Sequence, residues 1–171
     1  MIQRIQTLYL ALAALLCTAC LCLPIGEFIT AGGDLAGTLY NLWVHEPSQL
    51  GDTLQMADGP VLASDAAGTH SFTPWALFAL LLLTASALAF DIFIYKARLV
   101  QSRLAMLCCL LILGWYIVYG LFAYMLCDRY DASFTPSVWA AFPALACILS
   151  YLAFRAILKD EALVRSLDRL R

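Results

Sequence analysis

The stretch PWALFALLLLTASALAFDIFIY, running from Pro74 to Tyr95, decides the fold. Its only charged side chain is Asp91, and it is long enough to cross the roughly 30 Å hydrocarbon core of a bilayer as a helix. Three further blocks read the same way: Thr7–Leu23, Leu104–Cys127 and Ser137–Leu158. Within all four, the only Asp, Glu, Lys, Arg or His residues are Asp91 and Arg155. The chain as a whole is 63% hydrophobic and 13% charged, whereas soluble domains average about 45–50% and about 25%. Buried helices of soluble proteins rarely keep four such stretches free of charge. The expectation is an all-α membrane protein, a four-transmembrane-helix bundle forming a single integral domain over residues 1–171.

The placement of charge orients it. With the N-terminus cytoplasmic, Arg4, Lys96, Arg98, Arg103, Arg155, Lys159, Arg165, Arg169 and Arg171 all fall at inner ends or loops. Only Arg129 falls outside, so the positive-inside rule favours cytoplasmic N- and C-termini. Eight of the twelve acids then face outward: Glu27, Asp34, Glu46, Asp52, Asp58, Asp65, Asp128 and Asp131. Trp75 and Trp139 at the outer boundary, with Tyr9 and Tyr95 near the inner one, form the expected aromatic belts. The first segment, Arg4 followed by an apolar run, resembles a signal peptide. No Ala-x-Ala site follows Leu23, so an uncleaved span is expected. The basic residues are accounted for by topology, and no nucleic-acid partner is expected.

The first outer loop, Glu27–Thr73, carries strand-like runs at Glu27–Thr30, Thr38–Val44 and Thr53–Met56, separated by glycines and by Pro47 and Pro60. A small antiparallel β-cap over the outer helix ends is expected. The inner loop Lys96–Arg103 and the second outer loop Asp128–Pro136 read as short connections between antiparallel neighbours. Pro143 should kink the fourth span in its outer third. The tail 159–171, with Leu163, Leu167 and Leu170 at helical spacing and Glu161 four before Arg165, should continue that span as an amphipathic helix.

The opening MIQRIQTLYL and the closing AILKDEALVRSLDRLR, Ala156 to Arg171, resemble the two ends of an uncharacterised family. It is a family of four-span membrane proteins from Bacteroidota, domain-of-unknown-function family 4293. The resemblance implies a bacterial inner (cytoplasmic) membrane and carries over no activity, cofactor or site residue. In shape alone, four spans with both ends inside and a long first outer loop bearing Leu42-Trp43 are similar to the claudins. The paired loop cysteines of claudins are missing from Glu27–Thr73.

Asp91 is the most informative single residue, because an ionisable group at membrane depth is costly and is usually paired or functional. Arg155 lies at similar depth on the same side, and an Asp91–Arg155 pair is expected, or failing that Asp91 with Arg98. A structural clamp is the plain reading and an ion or proton relay the sharper one, with Thr84, Ser86, Ser150 and Tyr151 as the other polar groups of spans two and four. Of the seven cysteines, Cys17, Cys20, Cys108, Cys109 and Cys147 fall inside spans and read as small packing residues. Cys22 and Cys127 lie near the outer boundary, where a disulfide between them is possible. His45-Glu46 and His70 offer too few ligands for a metal site, so neither metal nor cofactor is expected. Trp115, Tyr116, Tyr119 and Tyr124 suit bundle packing or a hydrophobic groove. The expected function is non-enzymatic, an accessory or scaffolding subunit for a membrane or envelope partner. A small transporter or lipid-handling protein using Asp91 is the main rival, and a membrane thiol oxidoreductase the second.

Overall fold

The computed structural model describes residues 2–45, 70–71, 74–94 and 98–168. The protein is mostly helical, with a small antiparallel sheet. Its long helices are α1 (Ile2–Cys22), α2 (Trp75–Phe93), α3 (Arg98–Tyr130) and α4 (Phe142–Asp168). They pack in a ring, α1 on α2, α2 on α3, α3 on α4 and α4 back on α1, so that α1/α3 and α2/α4 are the diagonals.

Each helix turns one seam inward. The buried positions are Gln6, Leu10, Ala13, Cys17 and Cys20 on α1, and Leu77, Leu81, Thr84, Leu88 and Asp91 on α2. On α3 they include Ala105, Cys108, Ile112, Trp115 and Tyr119, and on α4 Ala146, Ser150, Ala153 and Ile157. Steps of four and three alternate, which is the 3.5-residue repeat of left-handed bundles. Alanine, cysteine, serine and threonine at many of these positions let the backbones approach closely. The outward faces are apolar as well. Leu8, Leu12 and Leu15, Leu82 and Leu83, Leu110, Leu113 and Ile117, and Ile148 and Leu152 are all exposed. Three helices, Trp75–Phe93, Val100–Tyr130 and Val138–Asp160, are long and apolar enough to cross a membrane, while Gln6–Cys22 is apolar but shorter.

The sheet contains β1 (Gly26–Thr30), β2 (Leu35–Leu39), β3 (Val44–His45), β4 (His70–Ser71) and β5 (Ala132–Pro136) in the order β4-β3-β2-β1-β5. Three expectations change here. The run Thr38–Val44 is not one strand: it breaks after Leu39 into a turn closed by Tyr40 N–H donating to Trp43 O at 2.9 Å, and resumes as β3. The second outer loop is not a bare connection, because α3 continues to Tyr130 and Ala132–Pro136 then adds to the sheet beside β1. Pro143 does not kink a helix. A 3₁₀ turn, Val138–Ala141, comes first, and Pro143 sits in the first turn of α4, where its missing N–H costs nothing. The expected strand Thr53–Met56 lies outside the described residues. The expectation that the last span runs on as helix agrees with α4, which continues to Asp168.

The sheet is seated on the bundle through its aromatic residues. Phe28 of β1 packs on Phe134 of β5 at 5.0 Å between ring centroids and on Tyr130 at 5.7 Å. Phe134 in turn meets Tyr119 edge-on at 5.7 Å. Gly26 makes this possible: a Cβ there would come within 2.3 Å of the Phe134 ring.

Candidate functional site

Buried polar groups gather at both ends of the bundle, and the group at the sheet end joins sheet to helices. Asn41, in the turn between β2 and β3, is fully buried. Its Nδ2 donates to Cys20 O at 2.7 Å, and its Oδ1 accepts from Trp115 Nε1 at 3.2 Å. Cys20 is in the last turn of α1, where backbone carbonyls have no partner within the helix, so Asn41 acts as a side-chain cap. Tyr119 stacks on Trp115 at 5.1 Å and donates its hydroxyl to Ile25 O at 2.7 Å. Tyr116 donates to Ala140 O at 2.6 Å and accepts from Ala144 N–H at 3.0 Å, tying the start of α4 to α3. The span-three aromatics thus serve as hydrogen-bonding struts, except for Tyr124, which is exposed.

The group at the far end from the sheet centres on Asp91. Gln6 stands sixteen positions before Cys22 on α1, and Asp91 sixteen positions after Trp75 on α2, both counted from the sheet end of the helix. Each is therefore about 24 Å below the sheet end of its helix. Asp91 is fully buried and Gln6 is 4% exposed. Gln101 Nε2, from the first turn of α3, donates to the backbone oxygen of Asp91 at 3.4 Å, and Ser102 is buried beside Gln101 in sequence. Among the described residues neither Asp91 Oδ1 nor Oδ2 has a hydrogen-bond partner, and Gln6 Nε2 has none either. Leaving such groups buried and unmatched costs about 1–3 kcal/mol each, more for a charged one.

The expected Asp91–Arg155 contact does not form. The inward seam of α4 is Ala146, Ser150, Ala153 and Ile157; Arg155 falls on the opposite face with Ile148, Tyr151, Leu152 and Leu158. Moreover, α2 and α4 are diagonal in the ring. The fallback partner, Arg98, has a side chain outside the described set. Cys22 and Cys127 are both free thiols, as are the other five cysteines. Cys127 lies eight residues past Tyr119, about 12 Å of helix rise above the level where Tyr119 meets Ile25. A disulfide needs Cα atoms within roughly 7 Å. Cys17, Cys20 and Cys108 are wholly buried seam residues, as their small size suggested, and Cys109 Sγ points at Cys147 O at 3.7 Å. His45 and His70, far apart in sequence, are directly paired across β3 and β4.

Sequence reasoning missed Gln6, Asn41, Gln101 and Ser102. Gln6 was recoverable, since stepping back four from Leu10 along the α1 seam lands on it. Asn41 had a fainter signal, a lone amide between aromatic and aliphatic residues. A comparison with curated proteins finds no match. A family model described as a domain of unknown function, DUF4293, matches residues 2–170. The match takes in both helical ends, the sheet and every buried polar residue named above, and the chain belongs to the DUF4293 family.

Proposed function

We propose that the chain is a bacterial inner-membrane protein crossing the bilayer four times, with both termini cytoplasmic. In this reading it works non-enzymatically, as an accessory or scaffolding subunit that presents its outer sheet to a membrane or envelope partner. The shorter apolar stretch of α1 counts as a span because Leu8, Leu12 and Leu15 form an exposed apolar stripe on it. Gln6–Cys22 also sits at the lower limit of about 17 residues for a spanning helix. The distribution of basic residues supports the orientation. The outline, an antiparallel cap over four helices, supports a claudin-like reading of shape and nothing of claudin activity.

The observation that carries the scaffold reading is the cap. It draws strands from both outer loops, is fixed to the helices through Asn41, Trp115 and Tyr119, and among the described residues nothing pairs with the far edge of β5. An edge strand with no described neighbour suits strand addition by a partner. Purification from the native host in mild detergent, followed by mass spectrometry, should recover one stoichiometric partner. Thr135→Lys, placing a charge on exposed β5, should release it without unfolding the protein. Failure to recover any partner across several detergents refutes the proposal.

A further inference from the structure

Among the described residues Asp91 is the only buried Asp, Glu, Lys, Arg or His. Three features of its position act in the same direction. Burial removes water from both carboxylate oxygens, and no described donor replaces it. Asp91 also lies in the last turn of α2, at the negative end of the helix dipole, where an anion is disfavoured. That turn contains no basic residue to offset it. Among the described residues the site thus holds a carboxylate with no positive charge to match it. Its backbone oxygen already accepts from Ile94 N–H at 3.3 Å and Gln101 Nε2 at 3.4 Å, so the carboxylate is the free ligand. At the same depth α1 carries Gln6, whose amide nitrogen has no partner among the described residues, and α3 brings the Cys108 thiol within electrostatic range.

We propose that Asp91 is the primary ligand of a monovalent cation bound at the inner end of the bundle. A buried carboxylate with no described donor, near the point where a helix ends inside a bundle, suits sodium or a proton. Both supply the same chemistry, one positive charge that neutralises the carboxylate. In the proton case, hydronium gives its proton to the carboxylate and leaves as water. This site is independent of any partner on the outer sheet.

The test uses the full chain in detergent. Thermal unfolding is compared in NaCl, KCl and choline chloride at one pH and one ionic strength, so that general screening is equal. At a hundredfold excess over Kd, sodium should raise the midpoint by roughly 5 °C relative to choline, and Asp91→Asn should abolish the difference. If the alkali cations act alike, infrared spectroscopy distinguishes the proton. A protonated-carboxyl band present in the wild type and lost in Asp91→Asn identifies it as the cation. The wild-type salt comparison stands even if the variant fails to fold, and Asp91→Glu then replaces it in the infrared arm. No alkali preference together with no such band overturns the proposal.

Discussion

Asn41→Ala tests how the outer sheet is held. The substitution removes one side chain but orphans two groups, the Cys20 carbonyl at 2.7 Å and the Trp115 indole N–H at 3.2 Å. Each orphaned group costs about 1–3 kcal/mol when water cannot reach it. Asn41 is fully buried, so the expected loss is about 2–6 kcal/mol. Trp115→Phe removes the donor and also part of a fully buried ring, so it should cost at least about 1–3 kcal/mol. The two residues share a bond, so the double variant should lose less than the sum, with a coupling of about 0.5 kcal/mol or more. Unfolding by denaturing detergent, followed by circular dichroism, gives the three energies. Limited proteolysis reports whether the sheet has come away from α1. A loss below about 0.5 kcal/mol for Asn41→Ala, with protease resistance unchanged, would refute the view that this residue joins sheet to bundle.

Other outcomes follow from the packing. Gly26→Ala should destabilise the sheet by about 1–3 kcal/mol, because Phe134 is held between Phe28 and Tyr119 and has little room to yield; equilibrium unfolding measures this. Pairing Gly26→Ala with Phe134→Leu should recover part of the loss. Arg155→Gln should change stability by no more than about 0.5 kcal/mol, since its side chain faces outward, and a loss of several kcal/mol would restore the abandoned clamp. A membrane-impermeant maleimide added from outside should label exposed Cys22 and spare Cys17, Cys20 and Cys108; labelling of the buried thiols in folded protein would contradict the seam assignment. Mild oxidation should produce no Cys22–Cys127 bridge on a non-reducing gel.

Helices were the most legible part of this chain, because lipid demands a long unbroken apolar run and little else resembles one. Strand β1 was also legible, from Glu27 to Thr30, through its bulky residues beside glycines. β5 was not. Ala132–Pro136 has no alternation to distinguish it from a polar connection, and it becomes a strand because β1 offers it an edge. The depth of Asp91 was readable, and its inward direction follows from Leu77, Leu81, Thr84 and Leu88. Its pairing was misjudged because depth was used without direction. Applying the same seam rule to α4 puts Ser150 inside and Arg155 outside. Asn41 depended on a contact between residues 74 positions apart, which no local pattern carries.

The position of β5 has a consequence for how the molecule is made. Ser133 on that strand bonds Ile29, a partner 104 positions earlier in the chain. Strand β1 therefore emerges long before β5 is synthesised, and the edge that β5 covers waits while α2 and α3 are made. Such distant pairing is slow to form and leaves partly assembled forms open to mispairing. Closure of β5 onto β1 is thus a late event, possible only once α3 is complete. A protease site exposed on β1 and lost on closure would give a direct clock for the completion of the bundle.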